Sequence, residues 1–235
     1  MTTGTRKHRN TGTRKPAGPE GYRLERREEI ARRADVDALK GRGLNVAAAR
    51  RHMDAVQVAG PHGRRFGYAM PNEASGLAVT LREGERVTIG ARGFSRVLGN
   101  PTGAAHVFAT AFDFLAYLTL YGLTEPTGET FILHRPDTIE AVLPELRKGE
   151  GFPRVIIWLG NTEAGRALTD RVLGICTEDG REGAAMNYLY EDFPSLFEWH
   201  TATRPPQRMG DPVKWYYDSA YHLLVQSRQN GPEVS

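Results

Sequence analysis

Three times between residues 104 and 175 the chain passes from a short apolar run into a stretch with helical periodicity. AAHVFA leads into AFDFLAYLTLYG, TFILH into PDTIEAVLPELRKG, and RVIIWLG into NTEAGRALTDRVLGI. The apolar runs are too short for helices and lack polar alternation, which is the pattern of strands buried on both faces. Strand–helix units in succession build a parallel sheet with crossover helices. VFA, FIL and VIIWL are then neighbouring central strands. In an open sheet of this kind, ligands gather beyond the carboxyl ends of the strands. Residues 109–113, 134–138 and 160–163 occupy those ends. Gly122 and Gly149 follow the first two helices, Asp137 or Thr138 is expected to cap the second, and Asn161 or Thr162 the third.

The preceding half reads differently. Residues 1–22 hold Thr, Gly, Pro and basic residues with no apolar period, and TGTRK occurs twice, at 3–7 and 11–15. Such a segment cannot bury enough surface to order itself, and a disordered basic tail is expected. From Tyr22 to Ala38 the charge-rich pattern predicts a helix with Leu24, Ile30, Ala34 and Leu39 inward, ended by Gly41 and Gly43. Asn45 can cap a short helix, VAAARRHM. AVQVAG and RRFGYAM predict one hairpin, GLAVTLR and ERVTIGA another. Residues 23–103 are thus a small α+β module, closed by the boundary-like cluster GNPTG at 99–103. Residues 104–201 form the α/β domain, and residues 202–235 a loop and an amphipathic terminal helix. In that helix Trp215, Ala220, Leu223 and Leu224 share a face. Trp215, Tyr216 and Tyr217 suit packing there better than base stacking.

The net charge of +3 conceals an asymmetry. Residues 1–100 carry 20 Lys/Arg against 10 Asp/Glu, whereas residues 101–235 carry 11 against 18. A basic half either meets a polyanion or attracts the acidic half of its own chain. The single cysteine, Cys176, excludes an internal disulfide and a Cys-rich zinc site, and fits a reducing cytoplasm. No stretch approaches the ~18 apolar residues of a membrane span, and the N-terminus lacks the apolar core of a secretory signal.

The second-half blocks VFATAFDFLAYLTLYG, TFILHRPDTIEAV and VIIWLGNTEAGRAL match in order and spacing a known set. They resemble the Toprim domains of primase-like and mobilisation-associated proteins of plasmids and phages. LKGRGLN and GRRFGYAMPNEASGLAVTLREG, with Asn72 and Gly76, resemble the module that precedes this Toprim type. The resemblance covers residues 39–199 and implies a Toprim-like parallel sheet with helices on both faces. It also implies three acids at the strand ends, one for general acid/base work and two for magnesium. Here those positions are Ala109, Gly160 and Thr162. Asn161, Ala164, Gly165 and Arg166 stand as in the family, as does Asp113. Of a later family block only Leu196 and Glu198 remain.

Magnesium demands hard oxygen ligands in near-octahedral geometry. Ala109 and Gly160 offer none, and Thr162 offers a neutral hydroxyl. Asp113, Asn161 and Glu163 are the candidate residual contacts to a metal or an anion; structural roles fit Asp113 and Glu163 better. His134, Asp137 and His200 lack a nucleophile on an elbow, GNTEAG lacks the Lys-Ser/Thr of a phosphate loop, and Cys176 reads as inert core. The expectation is a non-catalytic, Toprim-like protein with neither metal nor cofactor. It would associate with nucleic acid, salt-dependently, in plasmid or phage replication or mobilisation, with Arg6, Lys7, Arg9, Arg14 and Lys15 on the phosphates. One alternative is a module binding a replication or mobilisation protein. The other is a divergent metal-dependent primase or nuclease using relocated acids.

Overall fold

The computed structural model describes residues 21–99, 103–148 and 152–208. The basic tail cations Arg6, Lys7, Arg9, Arg14 and Lys15, and the expected terminal helix, lie outside the described residues.

The first half is a five-stranded antiparallel meander of β1 (Arg23–Glu28), β2 (Asp54–Gly60), β3 (Gly63–Pro71), β4 (Leu77–Leu81) and β5 (Arg86–Ile89). Helices α1 (Arg33–Gly41) and α2 (Val46–His52) interrupt it after β1. Both expected hairpins form. Asn45 caps α2 as anticipated, its side chain accepting from the amides of Ala47 and Ala48. Asn72 shapes the β3–β4 turn: its carboxamide accepts from the Ala74 and Gly76 amides and donates to the Ala91 carbonyl. Glycine is required at 76 because a Cβ there would lie 1.9 Å from that carbonyl oxygen.

The helix expected from Tyr22 to Ala38 is corrected: residues 23–28 form an edge strand, and only the last part of the segment is helical. Pairing with β2 decides this. Arg27 meets Asp54 at 2.5 Å, Gln57 donates to Glu25 at 2.8 Å, and Arg64 pairs with Glu25 at 2.9 Å. Tyr22 and Leu24 meanwhile join an apolar cluster with Val58, Val79 and Leu81. Tertiary burial and cross-strand pairs override local helix propensity.

The second half carries β6 (Ser95–Val97), β7 (Ala104–Phe108), β8 (Glu129–Ile132), β9 (Arg154–Trp158) and β10 (Glu182–Ala185). Their spatial order is β10-β9-β7-β8-β6. The three central strands are parallel neighbours as the sequence predicts, with His106 opposite both Ile156 and Thr130. Only β6 runs antiparallel, against β8. The strand period of two divides the side chains cleanly. Phe108, Ile132, Ile156 and Trp158 face α3 (Ala111–Leu120), together with α1, α2 and α6 (Leu196–Thr203). Val107, Phe131, Leu133, Val155 and Ile157 face α4 (Ile139–Arg147) and α5 (Glu163–Glu178). Helices therefore cover both faces, and Cys176 is buried beneath the second. Thr138 stands at the N-cap of α4, one of the two positions expected, but its side chain makes no cap bond. The Thr138 hydroxyl donates backwards to the Leu133 and Arg135 carbonyls, and a 3-10 turn, Pro136–Thr138, leads into the helix.

The two halves share one apolar cluster, since Ala55, Tyr68 and Met70 of the meander pack with Phe112 and the rest of the α3 face. Among the described residues, no helix is long and apolar enough to cross a membrane.

Candidate functional site

The carboxyl ends of β7, β8 and β9 open into a cleft of about 410 Å³, lined there by Ala109, Thr110, His134, Arg135 and Gly160. The opposite wall comes from the meander, with Thr80, Gly84 and Arg86 of the β4–β5 hairpin and Arg42 after α1. Ser195, Phe197 and Glu198 close it from the start of α6.

Three helices begin at this cleft, each with a hydroxyl cap. Thr110 accepts from the Asp113 amide, Thr162 from the Gly165 amide, and Ser195 from the Glu198 amide. Each cap satisfies one of the first-turn donors, and each helix directs the positive end of its dipole at the same space.

The sequence-predicted residues are only partly brought together. Ala109, Gly160, Thr162 and Asp113 line the cleft. Asp113 is 1% exposed and committed on both oxygens: Oδ2 accepts from the Thr110 hydroxyl at 2.6 Å, and Oδ1 from the Phe197 amide at 2.9 Å. It thereby ties the start of α3 to the start of α6. Burial pushes its carboxyl pKa up, against the pull of those two donors, the Arg86 charge and the Ser195 hydroxyl. Asn161 turns away from the cleft. Its amide group lies within 3.2 Å of the Asn187, Tyr190 and Phe193 carbonyls, and its backbone amide donates to Pro194. Glu163, exposed at the first position of α5, does not line the cleft.

The residues present do not fit the magnesium ion that the Toprim resemblance implies. Ala109 and Gly160 have no side-chain oxygen, and the Thr162 hydroxyl serves its helix cap. The backbone also occupies the space a carboxylate would need: a Cβ on Gly160 would stand 2.4 Å from the Pro194 carbonyl oxygen. Among the described residues no three His, Cys, Asp or Glu side chains are grouped to share an ion.

His134 has a positive φ of 61°, a left-handed conformation uncommon outside glycine. Its Nε2 lies 2.7 Å from the Ser95 hydroxyl, which resembles a base–nucleophile pair. The proton count excludes that role. The Ser95 hydroxyl lies 2.5 Å from the Pro71 carbonyl and gives it its only proton, so His134 must donate through Nε2. Burial, with the Arg86 charge adding, holds His134 down to about 3, and the ring is neutral.

Three guanidinium groups at the cleft were not singled out by the sequence: Arg42, Arg86 and Arg135. Arg42 lies over the Phe112 ring at 5.9 Å and donates to the Ala38 and Arg82 carbonyls. Arg135 pairs with Asp137 at 3.4 Å. Arg86 is exposed and has no hydrogen bond or ion pair with the described residues, though its charge reaches Asp113 and His134. Arg135 was detectable in principle, because it follows a predicted strand end. Nothing local marks Arg42 or Arg86, which arrive from the first half of the chain, one after α1 and the other on β5.

No protein-family model matches the chain, and no curated protein is significantly similar to it. Among solved structures it is similar to the primase fragment of the bacteriophage T7 primase-helicase protein. That match has a TM-score of 0.52 and 14% identity, covering 80% of this chain and 78% of that one. A second similar chain belongs to a structure of bacteriophage T7 lagging-strand DNA polymerase interacting with primase domains bound to an RNA/DNA hybrid and dTTP. There the TM-score is 0.42 and the identity 14%, over 63% of this chain and 80% of that one. The first likeness is one of fold: the α/β domain with its largely parallel sheet, together with the antiparallel module ahead of it, is similar in fold to that primase fragment over 80% of this chain.

Proposed function

We propose that this chain is a non-catalytic, nucleic-acid-associated Toprim-like protein of plasmid or phage replication or mobilisation. One observation carries the reading. Where the resemblance places three acids, the cleft presents Ala109, Gly160 and Thr162, with the Pro194 carbonyl against the second of them. Metal ions in phosphoryl transfer neutralise charge that develops in the transition state. Without carboxylates nothing at these positions offsets the cost of dehydrating a divalent ion. In this reading residues 1–22 are a basic tail, 23–103 a basic module, 104–201 the Toprim-like domain and 202–235 a loop and terminal helix. The tail and module hold phosphates through Arg6, Lys7, Arg9, Arg14, Lys15 and their neighbours. The alternative of relocated acids is disfavoured, because Asp113 spends both oxygens internally and Glu163 does not line the cleft.

The test is binding of a single-stranded and a duplex oligonucleotide by the full chain, across a salt series and beside a variant lacking residues 1–20. Each phosphate neutralised on duplex DNA releases about 0.9 counterion, so affinity should fall steeply with salt. The deletion should lower both affinity and slope. A primer-synthesis assay with Mg²⁺ run in parallel should show no product. Absence of binding at low salt, or magnesium-dependent synthesis, overturns the reading.

A further inference from the structure

We infer that the strand-end cleft binds a phosphoryl group directly, without a metal ion, with the guanidinium of Arg86 as its principal contact and Arg135 beside it. The inference rests on the non-catalytic reading of the cleft and adds the ligand class.

Charge at the cleft is the first ground. Arg42, Arg86 and Arg135 stand against two carboxylates, Asp113 and Glu198. Asp113 is buried and committed to Thr110 and Phe197, so among the described residues Glu198 is the only acid lining the cleft with oxygens left to face it. Where a magnesium-holding cleft brings carboxylates and lets the ion attract phosphate, this cleft brings the positive charge itself.

The state of Arg86 is the second ground. An arginine on a strand normally finds a carboxylate, as Arg27, Arg64 and Arg65 do on the same sheet. Arg86 lies on the hairpin edge facing the strand ends and has no such partner among the described residues. Its planar fork suits two phosphate oxygens at once. Arg42 and Arg135 bring further positive charge to the same space, although each already has protein partners.

Shape is the third. A second hollow of about 210 Å³ adjoins the cleft and shares Thr80, Arg86, Thr110, His134 and Arg135 with it. Arg86 and Arg135 thus stand where two hollows meet, a form suited to a ligand with more than one phosphate. That chemistry is common to a free triphosphate and to the phosphorylated end of a strand. The capped starts of α3, α5 and α6 add their dipoles to a site that the arginines already define.

The experiment is calorimetric titration of the full chain in EDTA with inorganic triphosphate, with ATP, and with a short single strand carrying or lacking a 5′-phosphate. Each titration is repeated with Mg²⁺. Arg86→Ala should weaken metal-free triphosphate binding by about tenfold or more, as loss of a charge-assisted contact does. Arg86→Lys should restore part of it, and Arg154→Ala, at the amino end of β9 and so at the opposite end of the strands from the cleft, should leave it unchanged. Arg86 is exposed, and a thermal melt of each variant checks that the fold survives. If the 5′-phosphorylated strand shows the larger Arg86-dependent gain, the ligand is a strand end; if the triphosphates do, it is a free nucleotide, and either result supports the site. No phosphate binding with or without Mg²⁺ overturns this inference alone. Metal-free binding indifferent to both Arg86→Ala and Arg135→Ala also overturns it. Binding that requires Mg²⁺ overturns it together with the non-catalytic reading.

Discussion

The two sheets solve the same problem in different ways. The parallel sheet buries its central strands on both faces, and each such strand is mostly apolar with no polar alternation: AAHVF, ETFI, RVIIW. The meander mixes faces and edges, and β1, RLERRE, is charged almost throughout. A strand buried on both faces advertises itself, because its sequence has no other explanation. An exposed edge strand owes its state to its partner and carries the charges that discourage further pairing. The comparison predicts that the parallel sheet concentrates stability in a few large side chains, whereas the meander spreads it over many small ones.

Trp158 gives the largest expected effect. It is fully buried, stacks on Phe108 at 5.8 Å and lies 5.2 Å from Tyr117, and its indole donates to His106 Nδ1 at 3.1 Å. Trp158→Ala should cost about 3–5 kcal/mol, since it opens a cavity and strands a buried ring nitrogen. Val58→Ala, in the centre of the meander cluster, removes two carbons and should cost about 2 kcal/mol. Urea unfolding at fixed pH measures both. Equal losses would show that the two sheets do not differ as described.

His106 gives the next effect, and it depends on pH. The ring is fully buried between Trp158 and Thr127, and burial holds its pKa down to about 3. The unfolded chain binds a proton near 6.5, while the folded one declines it until about 3. Folding stability contributed by the neutral ring is therefore complete above 6.5 and falls as pH drops through the window from 6.5 towards 3. His134 acts in the same sense. Each group should remove about 1.4 kcal/mol per pH unit within that window. His106→Gln, measured as urea midpoint against pH, should flatten the slope between 6 and 4 by about one proton even if it lowers stability at pH 7. An unchanged slope would mean that the ring titrates normally.

How much was legible follows from the same contrast. The parallel order of β9, β7 and β8, the hairpins, the Asn45 cap and the gathering of residues 109, 134 and 160 at one cleft were all readable. Each rests on period, cap chemistry or a general rule of open sheets. Three features were not. The antiparallel pairing of β6 with β8 involves three residues, too few for a periodic signal. Arg86 reaches the cleft from a different sheet. The Pro194 carbonyl blocks Gly160 across 34 positions of sequence, held there by a single asparagine side chain and one backbone bond. Contacts of this kind have no local signature. The site was therefore legible in place, but not in the cations that supply its charge.

The misread segment supplies the smallest and last effect. If β1 is a strand only because β2 and the apolar cluster make it one, the segment should revert when removed from them. A peptide of residues 22–41 keeps the ordering that favours a helix, with Glu28 four residues before Arg32 and Glu29 four before Arg33. Such pairs stabilise isolated helices by about 0.2–0.5 kcal/mol each and weaken with salt. The peptide is near the length at which helices become marginal in water, so partial helicity is expected, strongest when cold. Circular dichroism at 5 °C should show a helical signal that declines on adding 1 M NaCl. Exchanging Glu28 with Arg32 and Glu29 with Arg33 should lower it, since the reversed orientation opposes the helix dipole. In the whole chain the Glu29/Arg33 exchange alone should leave stability within about 0.5 kcal/mol, because Glu29 and Arg33 lie outside β1 and are no more than partly buried. A peptide with no helical signal at all would show that the sequence pattern itself was misread, rather than overruled by the sheet.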